Sequence, residues 1–216
     1  MAFNEKFVDH IVGNYKAPKD AIALDIGANR GMYTVKMAKK FDKVYAIEAC
    51  PATCDTLRGR MKNESVPNVE VCNYAICDLN QDVHLFTQGG QDGKDRGGNT
   101  TSLRVANEKK WGHNPEKSII VPGITLDSFI EEKKIDLKKL RFIKMDIEGG
   151  EDFAWLGAHD TLTNGYLDIV LEVHNCVDYA RLHKYFKDHG YKTLDANAKE
   201  VNGFTADTHY LVTNRA

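Results

Sequence analysis

Residues 24–31 read Leu-Asp-Ile-Gly-Ala-Asn-Arg-Gly, and Glu48 follows this stretch after one more predicted helix and strand. The apolar run 21–26 is typical of a strand that is buried on both faces. Apolar residues then recur at helical spacing, which predicts a helix from 32 to 41. The stretch 43–48 predicts a second strand that ends at the glutamate. A strand, a glycine turn, a helix, a strand and a carboxylate in this order indicate a site for a nucleoside-containing cofactor.

The spacing of the glycines indicates which kind of cofactor such a site could bind. A dinucleotide fingerprint is Gly-x-Gly-x-x-Gly, which lets a pyrophosphate approach bare backbone. This chain has Gly27 and Gly31, with Asn29 where the middle glycine would be. Asp25 would repel a pyrophosphate, whereas its carboxylate could meet a methionine ammonium group directly or through water. The turn therefore favours S-adenosylmethionine over NAD, with Glu48 accepting hydrogen bonds from the ribose hydroxyls.

The rest of the chain continues the alternation of strands and helices. Helices are predicted at 51–63, 126–134, 151–163 and 179–189, and strands at 69–76, 83–87, 118–121, 141–147, 167–173, 191–195 and 208–213. This order predicts an α/β fold with a doubly wound, mostly parallel sheet and an inserted hairpin. The glycine-rich segment 88–101 predicts a mobile loop, either an ordinary hairpin loop or a lid over a substrate. Ligands of such sheets bind beyond the carboxyl ends of the strands.

Composition and charge exclude several classes of protein. The formal net charge of −2 provides no basic surface for nucleic acid. No apolar run is long enough to span a membrane, and the first residues lack the pattern of a signal peptide. Five cysteines without Cys-x-x-Cys spacing favour reduced thiols over zinc or disulfides. We therefore expect a single cytoplasmic domain over residues 1–216, with no nucleic-acid partner and no membrane span.

A second motif, Met-Asp-Ile-Glu-Gly-Gly-Glu, occupies residues 145–151. Three carboxylates and two glycines contribute little to a hydrophobic core, so this composition indicates a functional site. Asp146 closes a predicted buried strand and should face the same crevice as the first glycine turn. Glu151 could instead stabilise the first turn of the following helix. Glu172 and His174 are two residues apart at a strand end, so they should point to the same side.

These motifs resemble the FkbM family of S-adenosylmethionine-dependent methyltransferases. The matching segments are 24–34, 44–51, 125–129, 143–151, 156–158 and 170–174, in the family's order. The chain departs from the family at Cys50, where Asn or Asp is usual, and at Gly150, where Ala is common. The resemblance implies a Rossmann-like class I methyltransferase fold with seven strands, the last of them antiparallel. It also implies methylation of a hydroxyl, often of a sugar or a natural product.

The resemblance also implies which residues bind the cofactor. The candidates are Asp25, Gly27, Ala28, Asn29, Gly31, Tyr33, Glu48, Ala49, Asn73 and Ala75. The residues from Asp25 to Gly31 would line the methionine portion, Glu48 would hold the ribose, and 73–75 would lie near the adenine. The cofactor half would then cover about 20–80 and the acceptor half about 118–216.

The catalytic candidates are Asp146, Glu172 and His174, and two designs fit them. In the first, His174 or a carboxylate takes the proton from the acceptor hydroxyl. In the second, all three side chains hold Mg²⁺ or Mn²⁺, which makes the hydroxyl more acidic. Lys144 is expected to point away from Asp146 and to form a structural ion pair. His209 has no local partner pattern and is expected to be a surface or packing residue.

Two other classes of function stay open from the sequence. A nicotinamide-dependent oxidoreductase could use a similar sheet, but the missing middle glycine argues against it. A cofactor-binding module without catalytic activity would not need the acidic motif at 145–151. The leading hypothesis is therefore an S-adenosylmethionine-dependent O-methyltransferase that acts on a sugar or another hydroxyl-bearing small molecule.

Overall fold

A computed structural model describes residues 3–86, 103–104, 118–175 and 177–215. The strands are β1 (Ile22–Ile26), β2 (Lys43–Ile47), β3 (Val69–Cys72), β4 (Ala75–Ile76), β5 (Asp82–Phe86), β6 (Leu103–Arg104), β7 (Ser118–Ile124), β8 (Leu140–Met145), β9 (Asp168–Val173), β10 (Lys192–Leu194) and β11 (Thr208–Thr213). The helices are α1 (Phe3–Asn14), α2 (Met32–Ala38), α3 (Pro51–Asn63), α4 (Leu126–Glu132), α5 (Glu151–Leu156), α6 (His159–Asn164) and α7 (Tyr179–Asp188). The predicted loop 88–101 lies outside the described residues.

The central sheet has seven strands in the order β10-β11-β9-β8-β1-β2-β3. The neighbours from β9 to β3 are parallel, whereas β11 runs antiparallel between β9 and β10. The predicted fold class, including the antiparallel last strand, is confirmed. Ile26 is in register with Ile47 on one side and with Met145 on the other. The residues that follow these three strands therefore meet at one edge of the sheet.

The predicted strand 69–76 is wrong, because the chain leaves the central sheet after Cys72. The Asn73 side chain donates hydrogen bonds to the carbonyl oxygens of Glu48 and Ala49, at 2.9 and 2.8 Å. These bonds turn the chain over the end of β2, and β4 then pairs with β7 in a smaller sheet. In that sheet β5 pairs antiparallel with both β7 and β6, so the inserted segment forms an antiparallel sheet where the sequence predicted a hairpin.

The predicted helix 151–163 is two helices, α5 and α6, with Gly157 between them. A Cβ atom on Gly157 would lie 2.5 Å from the carbonyl oxygen of Cys77, so the chain packs closely there. The Gly157 carbonyl accepts a hydrogen bond from the Asp127 amide of α4 instead of continuing a helix. Helix α2 also ends three residues earlier than predicted.

Apolar side chains cover both faces of the central sheet, as the run at 21–26 predicts. Leu24 and Ile26 of β1 belong to the large core on one face, and Ala23 belongs to the core under α1 and α2. Trp155 of α5 is fully buried in the large core, with its ring 5.0 Å from that of Phe186. Within the described ranges, no helix is long and apolar enough to cross a membrane.

Candidate active site

The glycine turn after β1 is held against the ends of both neighbouring strands. The amides of Gly27 and Ala28 donate to the carbonyl oxygen of Ile47, at 2.9 and 3.0 Å. Gly27 has a φ of 75°, and a Cβ atom there would lie 1.8 Å from the carbonyl oxygen of Asp146. Glycine is therefore required at this position by the chain's own backbone, before any ligand is considered.

The remainder of the turn and the start of α2 combine accessible side chains with one tightly packed glycine. Asn29 is exposed and has a φ of 47°, a left-handed conformation that asparagine tolerates. Gly31 packs against α3, where an added Cβ atom would lie 2.4 Å from a methyl carbon of Leu57. The half-buried ring of Tyr33 lies below the ammonium group of Lys144, with 5.6 Å between the nitrogen and the ring centre. Gly31 thus serves helix packing, while Asn29 and Tyr33 remain accessible.

Glu48 is almost fully buried at the end of β2, and both of its carboxylate oxygens are held by main-chain amides. Oε2 accepts from the Asn29 amide at 2.9 Å, and Oε1 accepts from the Cys50 amide at 2.8 Å. Burial raises the pKa of Glu48, although these two amides oppose the shift. Each oxygen keeps a further acceptor position, so the carboxylate is pre-oriented for two more donors. Ala49 and Ala75, two further candidates for the cofactor site, belong to one small apolar cluster.

Asp25 lies beneath the turn and has no exposed surface. The Thr34 hydroxyl donates a 2.6 Å hydrogen bond to its Oδ2 atom. Its Oδ1 atom has no hydrogen-bond partner among the described residues, and the nearest cation is the Lys144 ammonium at 3.7 Å. Burial raises the pKa of Asp25, while Lys144 and Thr34 oppose the shift. Direct contact of Asp25 with a ligand stays a prediction, since here the carboxylate holds α2 and Lys144 in place.

Replacing Thr34 by Val should lower the free energy of unfolding by about 1–3 kcal/mol, because the buried Asp25 carboxylate loses its donor. Urea unfolding of the two proteins measures this difference. Thr56→Val is a matched control, since the Thr56 hydroxyl bonds to Ala52 on an exposed face of α3. If both variants lose equal stability, the buried hydrogen bond is not the cause.

Lys144 connects the glycine turn to the acidic motif. Its ammonium group donates to the Gly27 carbonyl at 3.2 Å and lies 3.4 Å from Asp146 Oδ2. The predicted ion pair is confirmed, but the predicted direction is wrong. Lys144 and Asp146 are two residues apart, so the alternation along an extended chain places both on the same side. The carboxylates of Asp146 and Asp25 raise the pKa of Lys144 against the opposing effect of its burial.

Three potential ligand side chains meet beyond the ends of β8 and β9. One oxygen each of Asp146 and Glu148 and one ring nitrogen of His174 all lie within 4.8 Å of one another. His174 Nε2 is 3.5 Å from Glu148 Oε2 and 3.9 Å from Asp146 Oδ1. Glu148 turns towards the histidine from a left-handed backbone, with a φ of 58°. Glu148 was not among the predicted catalytic residues, although it belongs to the motif at 145–151.

Glu151 holds His174 in position from the buried side. It lies in the first turn of α5, but its Oε1 atom accepts from the Gly149 amide at 3.1 Å and lies 2.7 Å from His174 Nδ1. Glu151 therefore does more than stabilise the first turn of α5, which is the role that the sequence suggests. With Nδ1 bonded to Glu151, Nε2 faces Asp146 and Glu148. Desolvation lowers the pKa of His174, but the hydrogen bond to Glu151 and the surrounding carboxylates raise it to about 9.

The Oε1 atom of Glu172 also lies 3.9 Å from His174 Nε2, but Glu172 is not one of the three convergent ligands. Its Oε2 atom is 3.0 Å from Nε2 of His209, which is buried and directly opposite Glu172 in the register of β9 and β11. The sequence predicted a surface or packing residue at 209, and the structure shows that His209 is buried and also pairs with Glu172. No local pattern could have revealed this pair, because it forms between strands that are distant in the chain.

Comparison with known proteins assigns the family. The family model described as "Methyltransferase FkbM domain" matches residues 25–193, so the chain belongs to the FkbM methyltransferase family. The chain is 25% identical over 179 residues to "Methyltransferase 1" of Beauveria bassiana (strain ARSEF 2860), which covers 78% of this chain and 71% of that protein. The predicted family is therefore confirmed.

Solved structures of methyltransferases share the fold. A methyltransferase FkbM from Methylobacillus flagellatus KT matches with a TM-score of 0.55 and 17% identity, over 93% of this chain and 45% of that chain. This chain thus corresponds to less than half of that relative's length. A precorrin-6y C5,15-methyltransferase from Geobacter metallireducens GS-15 matches with a TM-score of 0.51 and 12% identity, over 99% and 88%. At these identities the likeness shows the class I methyltransferase fold.

Proposed function

We propose that this protein transfers a methyl group from S-adenosylmethionine to a hydroxyl oxygen of a sugar or another small polyhydroxylated molecule. The observation that carries the proposal is the placement of two polar centres at one edge of the sheet. Glu48 and the glycine turn form the first, and Asp146 with His174 forms the second. Lys144 contacts both centres, so a ligand in one lies beside a ligand in the other.

The residues of the first centre fit the cofactor. The Glu48 carboxylate is oriented by the amides of Asn29 and Cys50, and its two remaining acceptor positions suit the vicinal hydroxyls of a ribose. The Oδ1 atom of Asp25, which has no hydrogen-bond partner among the residues that the structure describes, lies beneath the turn where the methionine ammonium group is expected. When bound, S-adenosylmethionine supplies a methyl group on a positively charged sulfur.

The residues of the second centre suit a hydroxyl acceptor. Methyl transfer needs the acceptor oxygen close to the methyl carbon and in line with the bond that breaks. A sugar hydroxyl is a weak nucleophile, so a carboxylate of this centre must accept its proton as the new oxygen–carbon bond forms and the sulfur–carbon bond of the cofactor breaks. The side chains of Asp146, Glu148 and His174 are 28%, 32% and 14% exposed, so an acceptor can reach them. Their carboxylates can accept hydrogen bonds from several hydroxyls of one polyol.

Replacing Glu48 by Gln should weaken the binding of S-adenosylhomocysteine by a factor of about 10 to 100, because charge-assisted hydrogen bonds to the ribose are lost. Isothermal titration calorimetry measures the affinity. Glu64→Gln is the matched control, since Glu64 follows α3 on an exposed surface and pairs with Arg60. An unchanged affinity in Glu48→Gln would remove this carboxylate from the cofactor site.

The acceptor class is tested with labelled S-adenosylmethionine and a panel of mono- and oligosaccharides, with amines and thiols of similar size alongside. We expect label only on oxygen, and mass spectrometry of the product identifies the methylated atom. Transfer to nitrogen or sulfur alone would contradict the hydroxyl assignment. Tight cofactor binding without transfer to any acceptor would favour a binding module instead.

A further inference from the structure

We infer that Asp146, Glu148 and His174 form a binding site for one divalent cation of the Mg²⁺ or Mn²⁺ type. Cation binding does not depend on the proposed methyl transfer, whereas a role for the cation in catalysis rests on it. The ligand set differs from the one that the sequence predicted, because Glu148 takes the place of Glu172. The inference rests on the geometry of the three side chains and on the buried groups behind them.

The geometry of the three side chains suits one ion. Their ligand atoms lie within 4.8 Å of one another, and the two distances from His174 Nε2 are 3.5 and 3.9 Å. Two ligands of one Mg²⁺ lie at most about 4.2 Å apart, twice a bond length of about 2.1 Å. Small side-chain movements therefore bring all three atoms into range. Two carboxylates with one imidazole are a donor set that magnesium and manganese accept.

His174 is prepared for this role by Glu151. Glu151 is fully buried, and its Oε1 atom lies 2.7 Å from His174 Nδ1, which leaves Nε2 directed at Asp146 and Glu148. A carboxylate on the far nitrogen of a histidine is the usual support of a histidine that ligates a metal. Glu151 Oε2 is buried without a hydrogen-bond partner among the described residues. A cation on the exposed side of His174, bound at Nε2 in place of its proton, would add positive charge beside this carboxylate.

Glu172 is not one of the three ligands. Its Oε2 atom is engaged by His209 Nε2 at 3.0 Å, and Glu172 does not belong to the group of side chains whose ligand atoms all lie within 4.8 Å of one another. The Lys144 ammonium group pairs with Oδ2 of Asp146, and Oδ1 of Asp146 faces His174. Three protein ligands leave further coordination positions for water or for two neighbouring hydroxyls of a polyol acceptor.

The test measures cation binding without turnover. Chelator-treated protein is titrated with Mn²⁺, and electron paramagnetic resonance counts the free ion. We expect one saturable site per chain, with Glu148→Gln and His174→Gln each weakening the affinity for Mn²⁺ by a factor of about 10 to 100. Glu131→Gln, an exposed change on α4, should leave the affinity unchanged. Absence of saturable binding, or equal affinity in Glu148→Gln and the unchanged protein, would overturn the site.

Two further measurements separate this site from the proposed function. Glu148→Gln should leave the affinity for S-adenosylhomocysteine unchanged, because Glu148 lies outside the cofactor half. Loss of cofactor affinity in this variant would overturn the separation of the two centres. Methyl transfer should fall on chelation and return with added Mn²⁺ or Mg²⁺. Full activity after chelation would overturn the catalytic role of the ion, whereas Mn²⁺ binding without any methyl transfer would overturn the proposed function alone.

Discussion

Replacing Asp146 by Asn should reduce the rate of methyl transfer by a factor of about 10² to 10⁴ while the protein stays folded. Asp146 faces both polar centres, with Oδ2 at 3.4 Å from Lys144 and Oδ1 at 3.9 Å from His174. Lys144 and His174 hold the pKa of this carboxyl below its usual value against the effect of its burial. The Asp146 carboxylate is therefore charged. The side-chain amide of the Asp146→Asn variant removes that charge from the acceptor centre with little change in shape.

The loss should be measured as kcat and KM for an acceptor that the panel identifies. Because Asn keeps the size of Asp, thermal unfolding and the binding of S-adenosylhomocysteine should change little. Asp188→Asn is the matched control, since Asp188 lies at the end of α7 and pairs with Lys184 in solvent. A fully active Asp146→Asn variant would remove Asp146 from the mechanism, whether the carboxylate accepts a proton or binds a cation.

Replacing Gly27 by Ala should lower the free energy of unfolding by about 3 kcal/mol or more. For a chain of this size, the melting temperature should then fall by about 6–12 °C. The new Cβ atom would lie 1.8 Å from the carbonyl oxygen of Asp146, and the φ of 75° is unfavourable for alanine. The backbone of the turn must therefore move away from the end of β8, which also disturbs both polar centres.

The Gly190→Ala variant separates the cost of the clash with Asp146 from the cost of the unfavourable φ. Gly190 has a φ of 81°, but an added Cβ atom would meet nothing within 4 Å. This variant should lose only the conformational term of about 1–2 kcal/mol. Calorimetric melting of both variants gives the difference that belongs to the clash with Asp146. Equal losses would show that the close approach of the turn to β8 contributes nothing.

Much of the fold follows from local patterns. The apolar run 21–26 and the register of its neighbours place Gly27, Glu48 and Asp146 at one sheet edge, as the order of motifs predicts. Two element predictions fail where side chains from elsewhere act on the chain. Asn73 binds the loop after β2 and ends β3, and Gly157 packs on Cys77 and divides the predicted helix. Neither contact has a signal in the adjacent sequence.

By itself, the sequence determined the order of strands and helices, the glycine turn and the carboxylates at the strand ends. These features depend on hydrophobic periodicity and backbone preference, which act over a few residues. Only the tertiary structure decided which carboxylate meets which imidazole. Glu151 supports His174, His209 engages Glu172, and Glu148 joins Asp146, because such pairs depend on strand register and on loops brought together from distant parts of the chain.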